Sequence, residues 1–244
     1  MWNMKKLVII CIWLLLWQGI ALLVGNNILL VGPWETLCAL VRLAGTGEFW
    51  QSLGWTFLRL LLGILLGTGL GFLLAYAANR KSLLREFLQP AVHFIKAIPV
   101  VSFVILLLIW TGNTWVAFYV VSLVTFPIAY LNMLSGLSAM DPKLTEMSQV
   151  FRVSGGRRFR YVELPQLRAG ISAALALTVG MGFKSGIAAE VIGQALHTIG
   201  NEMYRSKIYL ETAELFAWTA VVILCSWLTE KGLQILLRRV SRAV

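Results

Sequence analysis

At 244 residues, 59% hydrophobic and only 13% charged, the chain is too apolar for a soluble domain, where charged residues run at about 25%. The net charge of +10 is not a nucleic-acid patch, because the bases flank apolar runs instead of clustering on one polar face. Cys11, Cys38 and Cys225 lack metal-ligand spacing; they read as small buried thiols, with no disulfide implied.

Lys5 and Lys6 precede an apolar run from Leu7 to Val24. It is long and no A-x-A cleavage site follows, so it reads as an uncleaved first span and not as a signal peptide. At about 1.5 Å per residue, roughly 20 residues cross a hydrocarbon core of about 30 Å. The next stretch is more polar. Pro33 to Leu43 predicts a short amphipathic helix in the outer interface, with Trp34 and Trp50 as interfacial anchors.

A second span is predicted over Gly54 to Ala78. Gly63, Gly67 and Gly71 form a small-residue stripe on one of its faces. The stripe suits packing within the chain or a seam between two copies. Arg59 lies about a helical turn into this segment and reads as snorkelling to the outer interface. Asn79, Arg80, Lys81 and Arg85 mark a polar turn. A third span is predicted over Phe87 to Trp110, kinked by Pro90 and Pro99, with His93 and Lys96 between the prolines. A fourth runs from Trp115 to Leu134 with Pro127 inside it.

Met140 to Pro165 is polar and basic and cannot lie in hydrocarbon, where its backbone would lack partners. Asp141-Pro142 is a helix start, aspartate as cap and proline at the first position. Leu144, Met147, Val150 and Phe151 then recur at helical spacing and give that helix an apolar face. Ser154-Gly155-Gly156 predicts a break. A second short helix is expected over Arg157 to Glu163, with Pro165 starting the next span. Two short amphipathic helices projecting from a membrane domain predict a docking element. A fifth span follows over Leu167 to Ile192, an outer segment to Tyr209, a last span over Leu210 to Leu228, and an amphipathic tail.

Six spans place both termini on one side. Of the 21 Lys and Arg residues, fifteen then fall on the side of the termini, three on the other and three within spans. Basic excess marks the cytoplasmic side, so both termini are expected there. Lys96, Lys184 and Glu190 carry charges within spans, each costing on the order of 3 kcal/mol at mid-bilayer. Such residues face a bundle interior or an aqueous cavity. Two readings stand open. Lys96, beside Pro99, and Lys184 give an anion pathway its positive field, or they satisfy freed carbonyls and carboxylates within the bundle. Lys184 and Glu190 are six residues apart and point to different helix faces. Gly180, Gly182 and Gly186 allow close contact there. The chain has no P-loop, GxSxG or HExxH motif, so it is not expected to be an enzyme or to split ATP itself.

The polar loop resembles the EAA motif of the membrane subunits of bacterial ABC importers, which runs Glu-Ala-Ala, three residues, Gly, nine residues, Ile-x-Leu-Pro. Glu146 and the closing Val162-Glu163-Leu164-Pro165 fall in register. Met147 and Ser148 replace the alanines, and Arg152 stands where the glycine belongs. Val31-Gly32-Pro33-Trp34-Glu35, Phe57-Leu58-Arg59-Leu60-Leu61-Leu62-Gly63, Ala97-Ile98-Pro99 and Ile187-Ala188-Ala189-Glu190-Val191-Ile192-Gly193 resemble the nitrate/sulfonate/taurine branch of these permeases. The resemblance implies an all-α polytopic membrane protein of about six helices, with the type I importer fold. It implies one permease domain over 1–244: a first span and outer segment (1–53), a core (54–228) holding the coupling loop (140–165), and a cytoplasmic tail (229–244).

The resemblance further implies a second permease copy, two ATP-binding cassette subunits that hold ATP and magnesium, and an extracytoplasmic binding protein that delivers solute. No cofactor is expected in this chain. The place implied is a bacterial inner membrane. Glu146, Val150, Phe151, Arg152, Gly155, Gly156, Leu164 and Pro165 become the expected ATPase-coupling residues. Lys96, Pro99, Lys184 and Glu190 are candidates for the pathway. The branch implies a small anion such as a sulfonate, taurine or nitrate. Importers of vitamin precursors share the scaffold and remain an alternative, as does a channel or membrane scaffold without ATP coupling.

Overall fold

A computed structural model describes residues 2–242, and among them every regular element is helical. The helices are α1 (Trp2–Val24), α2 (Pro33–Ala44), α3 (Gly47–Arg80), α4 (Ser82–Ala97), α5 (Val100–Thr111) and α6 (Val116–Ser138). Then come α7 (Pro142–Val150), α8 (Gly155–Arg158), α9 (Leu164–Gly193), α10 (Ile199–Ile208) and α11 (Thr212–Arg242). A π-helical turn, Phe159–Glu163, joins α8 to α9.

Five helical segments are long and apolar enough to cross a membrane: Met4–Val24, Gly47–Arg80, Val116–Ser138, Gly155–Gly193 and Thr212–Leu237. The expected third span departs from prediction. It is two helices, α4 and α5, whose axes turn by 99° across Ile98 and Pro99. Ile98 is extended at φ −71° and ψ 131°, the conformation that a following proline imposes on its neighbour. Pro90, by contrast, sits inside α4 without ending it. The six expected spans are therefore five helical segments and one broken pair.

The core is α3, α6 and α9. The stripe of Gly63, Gly67 and Gly71 lies against α6, so it serves packing within the chain. A Cβ on Gly67 would stand 2.1 Å from Thr125 Oγ1 and 2.4 Å from the Ser122 carbonyl oxygen. One on Gly71 would stand 2.7 Å from Ala129 Cβ. From α9, Gly182 and Gly186 close on Ile64 and Leu60 of α3 in the same way, while nothing lies near Gly180. Leu60, Ile64, Val120, Val121 and Val179 fill the space between these backbones and are fully buried. Small residues let helix backbones approach, and close packing then supplies attraction where apolar burial gives no advantage over lipid.

The helix directions sort the polar pieces to two ends. The α2, the start of α3, the α5–α6 turn and α10 gather at one end. The α3–α4 turn, α7 and the close of α11 gather at the other. Near its C-terminal end α1 is pinned by Trp17, whose Nε1–H donates to the Val31 carbonyl at 3.0 Å and whose ring packs on Phe216. Most of its other apolar side chains face outward, Ala21 being buried. The thiols of Cys11 on α1 and Cys38 on α2 are exposed and that of Cys225 on α11 is half-buried, against the expectation of burial. The expected tail of 229–244 continues α11 without a break as far as Arg242; its last two residues, and Met1, lie outside the described residues.

Candidate functional site

Two places carry polar chemistry. At one end is the loop between α6 and α9. Asp141 starts α7 as expected: its Oδ1 accepts from the Lys143 amide at 2.9 Å, and Pro142 is the first helical residue. The end of α7 differs from expectation. The chain reverses at Arg152, which adopts a left-handed φ of 49°. The Val153 amide then donates to the Ser148 carbonyl at 2.9 Å, the long hydrogen bond of a Schellman cap. That geometry asks for glycine at position 152, so the family's glycine has a backbone reason there.

Gly155 and Gly156, expected to break the helix, instead begin one. Ser154 precedes it, and the Arg158 amide donates to the Ser154 carbonyl at 2.8 Å. From Gly155 the helical path runs unbroken to Gly193, so the second short helix is the first turns of α9's span. The wide π turn falls just before Pro165, whose missing N–H and ring disfavour an ordinary turn there. Leu164 and Pro165 open α9 itself.

The turn is fastened to the core by residues that sequence reasoning did not single out. Glu163 is 3% exposed. Its Oε1 pairs with Arg158 Nε at 2.9 Å, and its Oε2 accepts from the Tyr76 hydroxyl of α3 at 2.9 Å. Tyr76 in turn accepts from Arg80, whose guanidinium also lies over the Tyr76 ring. Phe159 packs edge-on against that ring. A buried acid with one oxygen hydrogen-bonded to Tyr76 and the other in ion-pair contact with Arg158 holds α8 and the π turn to the end of α3. The signal was present in Glu163 itself, within the family phrase, but its partner is 87 residues away. In contrast, the apolar side chains of α7 are uncovered: Val150 and Phe151 are 78% and 75% exposed, and Leu144 and Met147 are also open. Glu146 is exposed on the same helix.

The candidate pathway residues are not brought together. Lys96 is exposed near the end of α4, beside the Pro99 bend. Lys184 is exposed on α9 and lines a groove of about 280 Å³ with Phe183, Trp227 and Glu230 of α11. Glu190 is fully buried. Its Oε2 accepts from Thr56 Oγ1 at 2.8 Å and from the Gly200 amide at 3.2 Å, while Thr56 Oγ1 accepts from the Ile199 amide at 2.9 Å. Glu190 of α9 and Thr56 of α3 thus each hold one N-terminal amide of α10, a place where the helix dipole favours an anion.

Arg59 does not snorkel. It is 5% exposed, with Nε and Nη1 buried and unpartnered. Its guanidinium carbon lies 5.4 Å from the Trp55 ring centre and 5.7 Å from that of Trp115. The α5–α6 turn and the α9–α10 turn fold over it, which no local pattern in α3 announces.

These features meet known proteins across almost the whole chain. Residues 67–244 match the family model described as binding-protein-dependent transport system inner membrane component. The taurine transport system permease protein TauC of Escherichia coli (strain K12) is 24% identical over 241 residues, covering 96% of this chain and 86% of that protein. A Bacillus subtilis (strain 168) protein, named as a candidate aliphatic sulfonates transport permease SsuC, is also 24% identical, over 98% of this chain and 87% of its own. Among solved structures, an inward-facing MetNI methionine ABC transporter superposes with a TM-score of 0.57 at 18% identity, covering 84% of this chain and 97% of that one. That likeness shows a shared fold. The polytopic helical core, the uncovered α7 and the family match together place this chain among the binding-protein-dependent transport system inner membrane components, the permease subunits of ABC importers.

Proposed function

We propose that this chain forms the translocation pathway of an ATP-driven importer for a small organic or inorganic anion, of the sulfonate or taurine kind. The substrate class follows the printed names of its relatives, at modest identity. ATP and magnesium are bound and hydrolysed by two cassette subunits. An extracytoplasmic binding protein delivers the solute, and a second copy of this chain completes the pathway. Both termini and α7 lie in the cytoplasm of a bacterial cell bounded by the inner membrane that holds the chain. The observation that carries this reading is the exposed apolar face of α7, Leu144, Met147, Val150 and Phe151, beside Arg152. An uncovered apolar face on a cytoplasmic helix is a docking surface.

Coupling then follows from the way the loop is fastened. Closure of the ATPase pair moves α7. The turn through Arg152, with Gly155 and Gly156, carries that motion to α8. The Glu163 bonds pass it to α3, and the continuous helix beyond Leu164 and Pro165 passes it to α9. Alternating access is the movement of these two spans. Lys184 and Lys96 stand exposed on the single chain, where a charge facing lipid is costly. They belong on surfaces turned to water or to the second copy, and Pro99 sets the angle of α5 there.

Phe151→Asp puts a charge into the docking face. In proteoliposomes made with the co-purified ATPase, it releases the ATPase or leaves hydrolysis running without uptake. Unchanged association together with unchanged coupled uptake would exclude this loop as the coupling element.

A further inference from the structure

The geometry points to an anion-recognition site in this chain at the α10 end, built around the guanidinium of Arg59. The site is a cavity of about 430 Å³, within the usual range for small-molecule sites of about 300–1,000 Å³. Arg59 lies in its wall, twelve residues into α3, and is nine-tenths buried. Gln51, Trp55, Asn113, Trp115 and His197 line the remainder that matters, and all five are exposed. The entrance is therefore open, with indole and leucine surface making most of its wall and Gln51, Asn113 and His197 adding polar groups, and the charge is deep.

Two features make Arg59 a receptor and not a filler. First, its two unpartnered nitrogens are a standing cost, since a buried donor without an acceptor loses its hydration and gains nothing. A ligand oxygen would remove that cost. Second, its guanidinium carbon is held near two indole rings. Indoles stabilise a cation through their ring faces and take no N–H, so the in-plane Nε and Nη1 donors are left without a protein acceptor. That fork matches two oxygens of a sulfonate or a carboxylate.

The nearest acid does not use Arg59 up. Glu190 is within electrostatic range, but no ion pair within 4.0 Å joins them among the described residues. Its Oε2 is committed to Thr56 and to the α10 amide, while its Oε1 is buried without a hydrogen-bond partner. Gln51 and Asn113 add amides that can donate or accept at the entrance, and the indoles offer an apolar wall. The occupant that fits is a small oxyanion with a short organic tail, taken from the side of α10. In the importer reading, on which only its physiological meaning rests, this is where solute is received before the pathway opens inward. Lys184 lines a different groove and takes no part.

The test is titration of the purified full-length chain in lipid nanodiscs with ethanesulfonate, followed by tryptophan fluorescence. No ATP or partner is needed, so the outcome stands apart from the importer reading. Wild-type protein is expected to show saturable quenching by ethanesulfonate and none by ethanol. Arg59→Gln is expected to weaken binding at least tenfold with the melting temperature kept. Arg59→Lys, which keeps the charge but loses the fork, is expected to weaken it by less. It serves as the test if Arg59→Gln does not fold. Trp115→Phe should reduce the quenching amplitude. Absence of saturable quenching in the wild type overturns the proposal, as does unchanged affinity in Arg59→Gln or, failing that, in Arg59→Lys. If Arg59→Gln loses stability that Arg59→Gln/Glu190→Gln restores, with ethanesulfonate affinity as in wild type, Arg59 is a charge balance for Glu190 and the proposal is overturned. Binding that persists as proposed while ATP-driven uptake is absent would refute the importer reading alone.

Discussion

Replacing Glu163 by glutamine tests how the coupling turn is held. The amide keeps the size and one acceptor but loses the charge opposite Arg158. Removing one member of a buried ion pair costs about 3–5 kcal/mol when the survivor stays buried. The Arg158 side chain is 26% exposed and its Nε pairs at 2.9 Å, so part of its charge returns to water. The expected loss is thus smaller, about 2 kcal/mol. Tyr76→Phe removes one hydrogen bond to Glu163 and one from Arg80, for about 1 kcal/mol. Because Tyr76 and Glu163 share one network, the double substitution should cost less than the two single losses together, by about 1 kcal/mol. The measurement is unfolding of the full-length protein by SDS titration in mixed micelles, with trypsin cleavage at Arg157, Arg158 and Arg160 as a local readout. Glu163→Gln should speed cleavage there. A loss under about 0.5 kcal/mol with unchanged cleavage would refute the reasoning, as would strict additivity.

Three further outcomes are expected. Gly67→Ala drives a methyl into Thr125 and the Ser122 carbonyl and should cost about 1–3 kcal/mol by the same titration. Gly69→Ala, with nothing within 4 Å, should be neutral or stabilising; equal effects would exclude the close α3–α6 approach. Arg152→Gly relieves a left-handed arginine and should slow trypsin cleavage of the loop at its remaining bases, whereas Arg152→Val should speed it; the opposite order would refute the cap assigned to α7. With Cys11, Cys38 and Cys225 replaced by serine, membrane-impermeant thiol labelling from outside intact cells should modify a cysteine introduced at Asn201 of α10 and not one at Ser154; the reverse pattern would invert the topology.

The spans and the polar loop between α6 and α9 are legible because hydropathy and loop charge act locally. The start of α7 was readable for the same reason, since Asp141 and Pro142 cap their own helix. The bend at Pro99 was visible as a kink but not as a right angle, because proline fixes one φ and the packing of α5 sets the direction. The expected break in the loop is present, but it lies just before Gly155 and not through Gly155 and Gly156. Glycine permits a break without demanding one, and the carbonyls left at the end of α7 were satisfied by a reversal at Arg152 instead. Arg59, Glu163 and Glu190 were beyond reach in their roles. Each is decided by partners brought from distant sequence, namely Trp115, Tyr76 and Thr56.

The binding of Glu190 to α10 has a consequence for biogenesis. During synthesis α9 emerges with a carboxylate near its end before the amides of Ile199 and Gly200 have formed a helix to receive it. The hydroxyl of Thr56, by then long since made on α3, is the first partner on hand. Docking of the closing residues of α9 against α3 gives that carboxylate a partner, and α10 can then fold down as a clasp. Loss of the Thr56 hydroxyl should show itself first in newly made chains, as a slow or incomplete last step of membrane integration.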